Sequence, residues 1–160
     1  MECFRKASVT RHDKKGDVSM YNRKMVGLDD ADRIVNAIVE HSKKENGVPI
    51  SIAVVDYRGD LIKFVRMDGA SWNSITIAQA KAYSAAKFRR NTSAVKEWME
   101  QMKIQMPDWA DPKVTSIGGG VCIWDEQTSP RSLIGAVAVS GWPQPEVDEQ
   151  YASIGIAAMG

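Results

Sequence analysis

The sequence predicts one α+β domain in which a mainly antiparallel sheet of about five strands is flanked by helices. The chain has 160 residues, enough to bury one core and too few for two ordinary domains. Amphipathic helical patterns open and close the folded part and alternate with β-branched runs. Short turns join several of these runs, and such connections favour antiparallel pairing.

Composition excludes several classes of function. Hydrophobic residues make up 44% and charged residues 26% of the chain, as in globular proteins. Twenty-one basic against 20 acidic residues create no field that attracts nucleic acid or an anionic membrane. The apolar runs are far shorter than the roughly 20 residues that span a bilayer. We therefore expect a cytoplasmic protein without nucleic-acid or membrane partners, and the two cysteines, Cys3 and Cys122, fit a reducing compartment.

The first 24 residues differ from the rest. They carry seven basic and three acidic residues, a net charge of +4, without the apolar segment of a secretory signal. We predict a basic extension over residues 1–24, flexible or packed on a partner, and a folded domain over residues 25–160.

The first half of this domain predicts a helix, a hairpin and a second helix. Apolar residues recur at helical spacing over residues 28–46. The runs 50–56 and 61–67 flank a turn and predict a β-hairpin. Residues 75–88 predict a helix with a face of small side chains, which can pack against a sheet, another helix or a flat ligand.

The second half predicts a short helix, three strands and a final helix. The short helix has its apolar stripe over 95–102, and the prolines that follow predict a loop. Runs 114–117, 121–124 and 133–140 predict strands. Pro145 is suited to the first turn of the last helix, where its missing N–H costs nothing.

Charged residues at two places in the sequence are candidates for chemistry: the pair Arg66 and Asp68, and Lys81. Arg66 and Asp68 end a predicted strand, where they could meet a ligand or pair with each other to fix the turn. Helical spacing puts Lys81 on the apolar face of the second helix, a position that lysine avoids unless it is paired or used. It could act as a base, a nucleophile or a carboxylate clamp, or it could bond to Asp56 or Asp68 as a structural link.

Three further features point to chemistry more weakly. Glycines 118–120 could offer backbone donors to an anion, although a tight turn explains them equally well. His41 lies at the edge of the first helical stripe and could be an axial haem ligand or a partly exposed helix residue. With His12 as the other histidine, a multi-histidine metal site is poorly supported.

Several sequence blocks, in this order, resemble the GlcG/HbpS family, which includes the C-terminal domain of PduO-type corrinoid adenosyltransferases. The resemblance covers about residues 28–159. The matching residues are Val54-Val55-Asp56 with Gly59, Arg66-Met67-Asp68-Gly69-Ala70, Ala78, Lys81-Ala82, Ala85, Gly119-Gly120, Gly135-Ala136, Val139-Ser140-Gly141 and Asp148.

This resemblance implies a profilin-like α/β/α sandwich and a homo-oligomer between a dimer and an octamer. It suggests haem, a corrinoid or a small anionic catabolite as ligand, with haem as the possible cofactor. We expect the ligand to be bound by Asp56, Arg66, Asp68, Lys81, Gly119 and Gly120.

Two alternatives remain open at the level of sequence. The first is a small catabolic enzyme, a lyase, hydratase or isomerase, in which Lys81 is the base, Arg66 clamps a carboxylate and Asp68 assists. The second is an assembly subunit without chemistry.

Overall fold

The computed structural model describes residues 23–160, and its helices and strands follow the predicted order with one exception. Among these residues, no helix is both long and apolar enough to cross a membrane. A 3-10 helix (Met106–Trp109) lies in the loop predicted from the prolines. The main elements are α1 (Leu28–Lys44), β1 (Ser51–Asp56), β2 (Leu61–Arg66), α2 (Trp72–Phe88), α3 (Thr92–Met102), β3 (Gly120–Asp125), β4 (Ser132–Ser140) and α4 (Pro145–Ala157).

The sheet is antiparallel, with the strands in the order β2-β1-β4-β3. The two central strands pair along their whole common length, from Ser51 opposite Ser140 to Asp56 opposite Gly135. Gly120, the first residue of β3, lies opposite Ala138 near the end of β4. The start of β1, the end of β4 and the start of β3 thus lie together at one end of the sheet.

The sheet has four strands and not the predicted five, because residues 114–117 do not form a strand. The backbone N–H of Thr115 donates to Ser84 Oγ, and that of Ile117 donates to Thr115 Oγ1. Side chains of α2 and of the segment itself therefore satisfy donors that a ladder would otherwise use.

Alternating residues of the strands form two cores, one on each face of the sheet. Ile52 and Val54 face α1 and α4, whereas Ala53 and Val55 face α2. The small face of α2, with Ala78, Ala82 and Ala85, packs against the second face, so its small residues serve close helix-to-sheet packing. The result is the α/β/α sandwich that the family resemblance implied.

The described chain begins within the predicted basic extension. Residues 1–22, and with them Cys3 and His12, lie outside the described residues. Arg23 donates to the carbonyl of Leu133 at 2.9 Å, and Lys24 bonds to Asp125 at 3.3 Å. The last two residues of the extension are therefore in contact with the domain.

Candidate functional site

A buried ion pair connects the two helical layers past one end of the sheet. Lys81 Nζ donates to Asp148 Oδ2 at 2.8 Å and to the carbonyl of Val139 at 3.1 Å. Both charged side chains are only 2% exposed. Since α2 and α4 cover opposite faces of the sheet, this bond links the layers through the protein interior.

Two glycines make room for the pair. Gly119 has φ +115°, and a Cβ there would lie 2.8 Å from Lys81 Nζ and 2.8 Å from Asp148 Cβ. A Cβ on Gly120 would lie 2.5 Å from the carbonyl oxygen of Lys81. The Gly119 carbonyl accepts from Val139 N–H, and the Gly120 N–H, one of the two predicted donors to a ligand, donates instead to Thr92 Oγ1.

Burial determines the electrostatics of this pair. Desolvation raises the pKa of Asp148, and the nearby Lys81 ammonium partly opposes that rise. The second carboxylate oxygen accepts from the backbone N–H of Trp142 at 3.2 Å. The carboxylate is thus bonded on both oxygens, and the arrangement is that of a satisfied structural link.

The other charged residues that the sequence singled out make no bond with Lys81, whose ammonium donates to Val139 and Asp148. Asp56 ends β1, where its Oδ1 accepts from the backbone N–H groups of Arg58 and Asp60 and closes the hairpin turn. Arg66 pairs with Ser51 at the opposite end of β1. Arg66 and Asp68 are exposed and make no side-chain hydrogen bond or ion pair within residues 23–160.

His41 lies on α1, on the other face of the sheet from α2. Its ring packs edge-on against Tyr151 at a centroid distance of 4.8 Å. Within the described part of the chain, no three His, Cys, Asp or Glu side chains are grouped so that they could hold a metal ion.

Cys122 is a buried thiol of β3. Its Sγ donates to the carbonyl of Ala85 at 3.2 Å, and burial raises its pKa to about 12. The group is therefore a protonated, unreactive part of the α2 core.

A basic cleft of about 770 Å³ opens where β3 ends and β4 begins. This volume lies within the range of small-molecule sites. Four cationic side chains from three parts of the chain line it, together with one carboxylate and an apolar surface. These residues are Arg23, Lys24, Arg89, Arg131, Asp125, Trp124 and Leu133.

The cations of the basic cleft are held in different ways. The ammonium of Lys24 lies 3.3 Å from the carboxylate of Asp125. Arg23 lies over the ring of Tyr57 at 4.0 Å. The guanidinium of Arg131 lies over the indole of Trp124 at 4.5 Å from its centroid. The guanidinium over the indole gives the cleft a positively charged platform beside an aromatic ring.

Sequence reasoning missed Asp148 as the partner of Lys81 and missed the basic cleft. Asp148 falls between Val147 and Tyr151 beside the apolar stripe of α4, the same signal that singled out Lys81. Arg89 and Arg131 carry no such signal, because an arginine after a helix or in a turn is ordinary in a sequence.

The comparisons with known proteins agree with this fold. A family model described as "Haem degrading protein HbpS-like" matches residues 26–157, nearly the whole described domain. The chain belongs to the HbpS-like family. It is also 36% identical over 111 residues to Protein GlcG of Escherichia coli K12, covering 69% of this chain and 77% of GlcG.

Solved structures of the family superpose well. A crystal structure of HbpS gives a TM-score of 0.76 at 27% identity and covers 89% of this chain and 95% of that one. A crystal structure of a PduOC:heme complex gives 0.72 at 26% identity, covering 84% and 94%. The GlcG/HbpS resemblance seen in the sequence is thus confirmed at the level of family and fold.

Proposed function

We propose that this HbpS-like protein binds a flat, carboxylate-bearing ligand of the haem type in the basic cleft, as a homo-oligomer in the cytoplasm. The platform of Arg131 on Trp124 is the observation that carries the proposal. A planar cation stacked on an aromatic ring presents both a flat surface and positive charge, which matches a flat anion.

The balance of charge in the cleft supports an anion. Lys24 is paired with Asp125, the one acidic side chain among the described lining residues, so Arg89 and Arg131 add positive charge that no lining carboxylate offsets. Arg131 also lies 3.5 Å from Glu126, but both side chains are more than half exposed. Such an exposed pair contributes little, and the guanidinium can turn to a ligand carboxylate.

The lining offers partners for the carboxylates and the plane of haem but none for its iron. Among the described residues that line the cleft there is no histidine, methionine, cysteine or tyrosine, the side chains that usually ligate haem iron. The proposal therefore concerns binding of the porphyrin alone. A structural neighbour supports this ligand class, since PduOC was crystallised as a heme complex.

A porphyrin titration tests the proposal. The oligomer is first sized by light scattering, and the full chain is then titrated with haemin, protoporphyrin IX and the uncharged protoporphyrin dimethyl ester, followed by absorbance. We expect the two dicarboxylates to bind at one per chain and the ester at least tenfold more weakly, because the ester cannot pair with the arginines.

Variants locate the site. Arg131→Glu should weaken protoporphyrin binding about tenfold or more, whereas Lys96→Glu makes the same change in net charge outside the cleft and should leave the dissociation constant unchanged. Equal binding of ester and acid, or an Arg131→Glu protein that binds normally, would contradict the proposal. Loss of binding in His41→Ala alone would instead place the ligand at α1.

The enzymatic alternative receives less support from the geometry. A general base must reach its substrate with a free lone pair, whereas Lys81 Nζ is buried and donates to Asp148 and Val139. The role of Lys81 as base, with Arg66 and Asp68, stays a prediction. If no porphyrin binds and the oligomer is large, the assembly subunit becomes the better interpretation.

A further inference from the structure

Arg89 ends α2 in a backbone conformation that disfavours its own side chain. Its φ and ψ are 52° and 42°, in the left-handed region, and its N–H donates to the carbonyl of Ala85. Arg90 N–H donates to the same carbonyl at 3.2 Å. Helices commonly end in this way with glycine, which adopts positive φ without a clash of Cβ.

The side chain of Arg89 lines the basic cleft. It is exposed and makes no hydrogen bond or ion pair with another residue among 23–160, so it does not hold the fold together. The C-terminal carbonyls of α2 carry partial negative charge, which would repel an anion in the cleft. A cation at this position offsets that repulsion.

We propose that Arg89 is a specificity-determining residue of the basic cleft, which binds a ligand carboxylate from a different element of the fold than Arg131 does. This inference rests on the proposed function. Arg89 lines the cleft from the end of α2 and Arg131 from the turn between β3 and β4, so each arginine can bind one carboxylate of a ligand that carries two. An arginine is preferred over a lysine because its fork binds a carboxylate in two places.

A change to glycine separates this role from a structural one. Arg89→Gly relieves the left-handed strain and should raise the melting temperature by about 2 °C. The same change should raise the dissociation constant for protoporphyrin IX about tenfold, since a charge-assisted bond is lost. Arg89→Gly is thus expected to make the protein more stable and to make it bind protoporphyrin IX more weakly.

Lys103→Gly is the matched control. Lys103 ends α3 with φ 56° and ψ 34°, the same conformation, but does not line the cleft. Its change to glycine should also raise the melting temperature and should leave porphyrin binding unaltered.

The outcomes separate the two proposals. If the unmodified protein binds protoporphyrin IX and Arg89→Gly binds it equally well, the role of Arg89 is overturned and the proposed function stands. If the unmodified protein does not bind protoporphyrin IX, the proposed function fails and this inference fails with it. A lower melting temperature of Arg89→Gly would show that the arginine is structural.

Discussion

A single carboxylate, that of Asp111, fastens the proline-rich loop to α2. It accepts from the hydroxyl of Tyr83 at 2.8 Å, from the ammonium of Lys87 and from the backbone N–H of Lys113 at 3.0 Å. The bond from Lys87, followed by those from Lys113 and Tyr83, lowers the pKa of Asp111 to about 2. The hydrogen bond to Asp111 in turn raises the pKa of Tyr83.

This shift predicts a pH-dependent contribution to stability. The folded pKa of about 2 lies below the ordinary value of 3.8, so the contribution of Asp111 to stability is present above about pH 4 and is lost as the pH falls through 2. Asp111→Asn should therefore lower the free energy of unfolding at pH 6 and make little difference at pH 2, as measured by urea titration. Asp68→Asn, at an exposed carboxylate, should change neither value; an effect of Asp111→Asn that persists at pH 2 would contradict the ion pair as its cause.

For Lys81, the sequence predicted burial but not the bonding partner. The helical phase of α2 predicted a lysine on an apolar face, and the side chain is 2% exposed. Its bond to Asp148 could not be derived, because 67 residues separate the two along the chain. Asp56 and Asp68 were equally reasonable partners until the packing of α4 was known.

At the scale of elements, α2 and β3 approach each other at Gly120. The Thr92 hydroxyl and the Asn91 side chain accept from the N–H groups of Gly120 and Cys122 on the outer edge of β3. The start of α3 therefore covers an edge that would otherwise be open to pairing with another strand.

Gly120→Ala should disturb the close approach of α2 to β3. A Cβ would lie 2.5 Å from the backbone carbonyl of Lys81, which cannot move without shifting α2. We expect a loss of about 1 to 3 kcal/mol in the free energy of unfolding, as for overpacked cores. Gly118→Ala, two residues earlier in the chain, meets side chains alone, those of Pro145 at 3.0 Å and Ser93 at 3.9 Å, and should cost clearly less. Equal losses would show that α2 and β3 have room to separate.

For the whole molecule, the bond between Lys81 and Asp148 joins the α2 layer to the α4 layer. Removal of one partner leaves a buried charge without its counter-ion, so Lys81→Met should cost about 3 to 5 kcal/mol in urea unfolding. Lys81→Met with Asp148→Asn should recover part of that loss, because no unpaired charge remains.

The same variants test the role that sequence assigned to Lys81. If Lys81 is structural, the folded double variant binds protoporphyrin IX with the dissociation constant of the unmodified protein. Weaker binding would return Lys81 to the ligand site. A loss of less than 1 kcal/mol in Lys81→Met would show that the pair does not lock the layers together.

The sequence by itself determined the elements, their order and the family. Helical and strand periodicity place apolar residues on one face of an element, and this pattern depends on nearby residues alone. The sequence predicted one strand too many, at residues 114–117, where the Ser84 hydroxyl takes the place of a strand partner. That contact lies between distant parts of the chain and leaves no local pattern.

Only the tertiary structure decided which charges meet. It enclosed Lys81 with Asp148, kept Asp56 in a hairpin turn, and brought Arg89 and Arg131 from distant elements to one cleft. The physical reason is that an ion pair or a cleft depends on separations in space, whereas periodicity in a sequence reports only the direction of a side chain from its own helix or strand.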